Sequence, residues 1–154
     1  MEMESTPAAF KAQLRVVIEE YLTLKNALIQ SNNSEASIAA GSVLEAINTA
    51  DMSLLEGENH MEWMRLLATL TSETESILNS SGLEEQRTSF MTLSTKLIEV
   101  VKHFEVPGVY YQQFCPMSNN GEGAYWLSKK EEIANPYFGE QMHNCGETIT
   151  KIEF

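Results

Sequence analysis

Apolar residues recur every three or four positions through residues 7–105, the spacing of one buried face on an α-helix. The first stripe is Phe10, Leu14, Val17, Tyr21, Leu24 and Leu28. Thr6 is placed to cap that helix, with Pro7 at its first position, where a missing N–H costs nothing. Ser31-Asn32-Asn33-Ser34 interrupts the stripe, and Ser34 is the expected cap of a second helix carrying Ala36, Ala40, Val43, Ile47, Ala50 and Leu54, closed by Gly57. Asn59 with Glu62 reads as a capping box. It opens a third stripe of Trp63, Leu67, Leu70, Thr74 and Ile77. Ser80-Ser81-Gly82 is a turn in which Gly82 is expected to be left-handed. A fourth stripe, Gln86, Phe90, Leu93, Leu97, Val100 and Phe104, runs to Pro107-Gly108. Four helices of about twenty residues joined by short polar turns predict a mainly α fold, an up-down four-helix bundle.

After Pro107 the period changes. Val109–Phe114, Ala124–Leu127 and Thr148–Phe154 are rich in β-branched and aromatic residues and are expected to be strands. The first two flank Ser118-Asn119-Asn120-Gly121-Glu122-Gly123, a hairpin loop containing Asn-Gly. Ser128 with Glu131 predicts one short helical turn. Asn135-Pro136 predicts another, ended by Cys145-Gly146, which would set Met142 and Cys145 on one face. The chain therefore reads as one domain, 1–154. Residues 7–105 form the bundle and 109–154 a small C-terminal cap of strands and loops.

Charge narrows the function classes. Ten basic and twenty-two acidic residues give a net charge of −12, which repels a phosphate backbone and argues against nucleic acid. No apolar run reaches the roughly 18–20 residues of a membrane span. Met1–Phe10 lacks the basic start and apolar core of an export signal. No nucleophile–base pair, phosphate loop or paired acidic motif stands out, so a non-enzymatic role is expected.

The distinctive chemistry lies in the cap, in Cys115-Pro116-Met117 and Met142-His143-Asn144-Cys145. Thiolate and thioether sulfur are soft donors that together prefer Cu(I). Cys115 and Cys145 are the expected thiolates, with Met117, Met142 or His143 completing the set. Tyr125, Trp126, Tyr137 and Phe138 are placed to exclude water. Zinc would need a fourth ligand that methionine supplies poorly. The two cysteines also suit a structural disulfide, or inert buried thiols, and on the residues alone all three readings stand. Met52, Met61, Met64 and Met91 read as packing residues. His60 and His103, near helix ends, read as partly solvated rather than ligating.

The series CPM, GAYWLS, EIANPYFG and MHNCGE, in that order, resembles an uncharacterised bacterial domain of exported proteins. That domain is also fused to the C-terminal end of periplasmic adaptor subunits of copper/silver-type efflux pumps. YLTLKNAL and EEQRTSFMTLSTKLIEVV are similar to its helical part. The resemblance implies that Cys115, Met117, Met142 and Cys145 occupy sulfur-bearing positions. It matches Trp126 to the domain's aromatic, and Asn135, Pro136, Tyr137, Phe138 and Gly139 to its turn. His143 ranks below the sulfurs. It further implies a periplasmic or outer-membrane-anchored location, an export or lipoprotein signal trimmed from this sequence, and a metal ion and an efflux adaptor or other periplasmic protein as partners.

Overall fold

The computed structural model describes residues 5–139 and 142–154. Four helices come first: α1 (Ala8–Ile29), α2 (Asn33–Thr49), α3 (Gly57–Asn79) and α4 (Leu83–Phe104), with a 3₁₀ turn at Met52–Leu54. Strands β1 (Val109–Cys115), β2 (Ala124–Ser128) and β3 (Glu147–Glu153) follow. They form one antiparallel sheet in the order β2-β1-β3. The mainly α bundle with a small C-terminal strand cap is thus the fold observed.

The predicted stripes are the core. Every residue of the first and fourth stripes is buried, from Phe10 and Tyr21 on α1 to Gln86 and Phe104 on α4. Successive helices pack on one another, whereas α1 and α4 meet only sparsely and β2 lies against α4. The sheet therefore sits at the seam between first and last helices. Tyr21 marks the junction: its ring stacks on Phe90 at 4.9 Å. Its hydroxyl contacts Ser94 Oγ at 2.6 Å and accepts the Leu127 backbone N–H at 3.1 Å. At the other end Trp63 of α3 meets Phe10 of α1 and Phe104 of α4 edge to face, and those two rings are tilted against each other.

Several local expectations are corrected. Pro7 is itself the N-cap of α1, and no side chain caps that end. Asn32, not Ser34, caps α2, its Oδ1 accepting the Glu35 N–H at 3.1 Å. Helix α2 stops at Thr49, so Leu54 falls in the 3₁₀ turn, and Gly57 begins α3 rather than ending α2. Asn59 lies inside α3, buried, with its side chain against His103 Nε2 at 3.0 Å. Gly82 is extended, at φ −121; the chain reverses without a left-handed residue there. Val109–Cys115 and Ala124–Ser128 each run one residue past the expected strands. In β3 only Ile152 is buried of the expected face, with Thr150 and Phe154 exposed.

The helical turn expected directly after Ser128 does not form at residues 129–134. The Ser128 hydroxyl receives Lys25 Nζ and the Lys130 N–H, both at 3.1 Å. The carbonyls of Lys130 and Glu131 turn instead to Gln113. After Asn135 the chain makes a turn at 136–138 and enters 3₁₀ geometry at Gly139, whose N–H bonds the Asn135 carbonyl at 3.1 Å, whereas residues 143 and 144 lie in a turn rather than a helix. Glu140 and Gln141, inside the expected helix, lie outside the described residues.

Candidate functional site

Cys115 closes β1 opposite Ala124, and Cys145 stands two residues before β3. Their sulfurs converge to 3.0 Å. Cys115 is fully buried, while Cys145 is partly exposed and packs against the core.

Two residues bring Cys145 to that place. Gly146 adopts φ +135, and a Cβ there would sit 2.9 Å from the Phe114 carbonyl and 3.0 Å from the Trp126 ring. Only glycine lets the backbone lie that close to β1. Asn135 is the second: its side-chain N–H donates to the Cys145 carbonyl at 2.9 Å, and its backbone N–H to the His143 carbonyl at 2.8 Å. Its Oδ1 accepts the N–H groups of Tyr137 and Phe138, so the expected cap at Asn135 forms. Replacing Gly146 by alanine is expected to cost about 1–3 kcal/mol through backbone strain and to part the sulfurs. Thermal melting together with the yield of pair oxidation checks both effects.

The two sulfurs differ electrostatically. Burial pushes Cys115 up, but the Cys145 thiol, the Ser118 hydroxyl, the Met117 backbone and the Asn135 side chain outweigh it and bring Cys115 below the usual thiol range. Cys145 is pushed up, first by its hydrogen bond to Cys115, then by burial and the charge of that partner. The hydrogen bond between the two thiols therefore favours Cys115 as the first of the pair to ionise.

The remaining predicted donors stay at the rim. Met117 is 58% exposed and Met142 41% exposed, and His143 is exposed too. Among the described residues no group of three or more His, Cys, Asp or Glu gathers for a metal ion. The predicted supporting residues do gather. Trp126 is fully buried, with Tyr137 edge-on at 5.9 Å. Tyr137 also meets Phe90 at 6.0 Å, so rings run from Tyr21 through Phe90 and Tyr137 to Trp126. Pro136 and Gly139 are buried and Phe138 is half-buried. Arg87 of α4 fastens this turn, donating to the Pro136 carbonyl at 2.8 Å and the Leu28 carbonyl at 2.6 Å.

Sequence reasoning missed Gln113, which is fully buried. Its Nε2 donates to the carbonyls of Lys130 and Glu131 and to Thr148 Oγ1, and its Oε1 accepts Trp126 Nε1–H at 2.7 Å. It missed Ser118 as well, whose buried hydroxyl stands beside Cys115 with no nitrogen or oxygen partner. Ser118 also lines a cleft of about 570 Å³ between α4 and the β1–β2 loop, with Met91 and Met117 on its walls.

A family model described as "Protein of unknown function (DUF3347)" matches residues 17–107, more than half of the chain. The matched span holds most of α1 and all of α2, α3 and α4; the cysteine-bearing cap follows it. No curated protein and no solved structure matches.

Proposed function

This chain belongs to that family of proteins of unknown function, and we propose that its cap is a soft-metal site that binds Cu(I) through Cys115 and Cys145. The observation that carries the reading is the convergence of two sulfurs at 3.0 Å, one of them fully buried. Thiolates select Cu(I) over harder ions. A pair of sulfurs without a third and fourth strong donor suits Cu(I) better than tetrahedral Zn(II). Met117, Met142 and His143, exposed and within three residues of the cysteines in the chain, are the weaker donors through which an ion would be taken up or passed on. The ion is cargo here. The likeness of the CPM, YWLS, NPYFG and CG segments to exported domains fused to efflux adaptors supports an extracytoplasmic domain that buffers or delivers copper to an efflux system. No helix among the described residues is long and apolar enough to cross a membrane.

Titrating the reduced protein anaerobically with Cu(I), against a chromophoric chelator, tests this. Wild type is expected to take up one equivalent. Cys115→Ser and Cys145→Ser are each expected to lose more than about 100-fold in affinity, beyond the effect of an outer-shell change. Tight stoichiometric binding by both single variants would overturn the proposal.

The same sulfur contact favours a second reading, a disulfide pinning the cap. Cys115 and Cys145 lie 30 residues apart, and closing such a loop stabilises by about 3–4 kcal/mol in the chain-entropy account. It would tie the end of β1 to the approach of β3. Counting free thiols on protein from its native compartment separates the two: two blocked thiols, with no copper uptake after reduction, support the pin alone.

A further inference from the structure

The two sulfurs are not equivalent toward a third one. Thiol–disulfide exchange requires the attacking sulfur to approach a disulfide sulfur opposite its bonded partner, so access decides which of the two is attacked. Cys115 belongs to the buried core, and its strand is paired on both sides, to β2 and to β3. Cys145 is partly exposed and directly follows Met142, His143 and Asn144, all exposed. An incoming thiol therefore meets Cys145 first, with Cys115 behind it.

We propose that, when oxidised, the pair is an exchangeable disulfide opened by an external dithiol protein through attack on Cys145. It rests on the disulfide reading above and assigns that bond a partner and a direction. In the first step the partner's thiolate bonds to Cys145 Sγ. The Cys115–Cys145 bond breaks, and its electron pair leaves on Cys115 Sγ, which takes a proton from solvent. In the second step the partner's other thiol, losing its proton, bonds to the partner sulfur held by Cys145; that mixed disulfide breaks, and Cys145 Sγ leaves with the electron pair and takes up a proton. The partner then holds the disulfide and this chain holds two thiols, so two electrons have moved from partner to chain. A dithiol completes the second step within one complex, where a single thiol would need a further molecule.

The local framework suits Cys115 as the leaving and re-closing sulfur. Its backbone stays in the sheet throughout, and the Ser118 hydroxyl stands beside its sulfur with no oxygen or nitrogen partner to give up. The Cys145 backbone is held by Asn135 and by its own N–H bond to the Met142 carbonyl at 3.0 Å. Only the Cys145 side chain has to swing outward. Oxidation then gates the metal site, because a disulfide offers no thiolate to copper.

Partial reduction of the oxidised wild-type protein with glutathione tests the direction. Free thiols are then alkylated and the adducts located by peptide mass spectrometry. Glutathione is expected on Cys145 over Cys115 by about tenfold or more, as access dictates. Equal labelling, or adducts mainly on Cys115, would overturn the proposal while leaving the disulfide reading intact. Two free thiols in protein exposed to oxidised glutathione before the reduction step would overturn both. Cu(I) binding by the reduced protein is read independently of either result.

Discussion

Trp126→Ala should lower the stability of the reduced protein by about 3–5 kcal/mol, the range for emptying a buried aromatic site. Trp126 has no exposed surface, and its loss removes more than area. Its indole N–H is the partner of Gln113 Oε1, at 2.7 Å. That glutamine uses its other end to hold the Lys130 and Glu131 carbonyls and Thr148. One ring thus supports a polar knot joining β1, β2, the segment after β2, and β3. Trp126→Phe separates the two contributions. It keeps much of the apolar surface but orphans a buried amide oxygen, which costs about 1–3 kcal/mol.

The position of β2 adds a second expectation. Because β2 stands at the sparse α1–α4 seam, and Tyr21 accepts the Leu127 N–H there, damage at Trp126 should reach the bundle. The chain has two tryptophans, so Trp63, buried among Phe10 and Phe104, becomes the only indole in Trp126→Ala. Its fluorescence transition in urea is expected to move to lower denaturant along with the loss of sheet signal. A Trp63 transition unchanged from wild type would mean that the cap unfolds alone, contrary to a core running through both parts.

The helices and strands were legible because each carries a sustained period, and burial enforces a period strongly. Phe10 to Leu28 and Gln86 to Phe104 show this at every predicted position. Caps were less legible because several polar residues compete at each end. Asn32 and Ser34 are two residues apart, and the one that reaches Glu35 N–H wins. Asn59 resembles a cap because of Glu62, but α3 starts at Gly57, which frees Asn59 to face His103 across the bundle.

The cap was partly legible. The order of its motifs named the cysteines, and their neighbours Asn135 and Trp126 took supporting places. Met117, Met142 and His143 were legible only as chain neighbours of the cysteines, and all three side chains are exposed. Gly146 reads as a terminator of a helix, whereas its work is a close approach to Phe114. Gln113 gave no signal at all. A glutamine in a strand reads as solvent-facing, and its partners are carbonyls of coil residues 17 and 18 positions away.

Lys25→Met is expected to stabilise the protein at neutral pH by about 3 kcal/mol, an unusual sign for a buried substitution. Lys25 is 7% exposed on α1, and its ammonium donates to Ser128 Oγ at 3.1 Å. Burial, with the charge of Lys130 added, pushes its pKa down from 10.5 to about 8. The nearby Lys129–Glu19 pair, at 2.6 Å, commits that carboxylate to another lysine. Folding therefore disfavours the ammonium. Below pH 8 both folded and unfolded chains carry the proton, and the full penalty applies. Between pH 8 and 10.5 the unfolded chain binds more proton than the folded one, so stability rises with pH. Above that window both are neutral, and the penalty is gone. Methionine fills a similar volume without the charge, and Ser128 Oγ keeps the Lys130 N–H. Urea melts of both proteins at about pH 7, 8.5 and 10 should show the variant's advantage shrinking stepwise; taking the difference cancels tyrosine and cysteine titrations common to both. An advantage that is absent at neutral pH, or constant with pH, would mean that the Lys25 ammonium is solvated in the folded chain, and that the α1–β2 contact is wetter than its burial indicates.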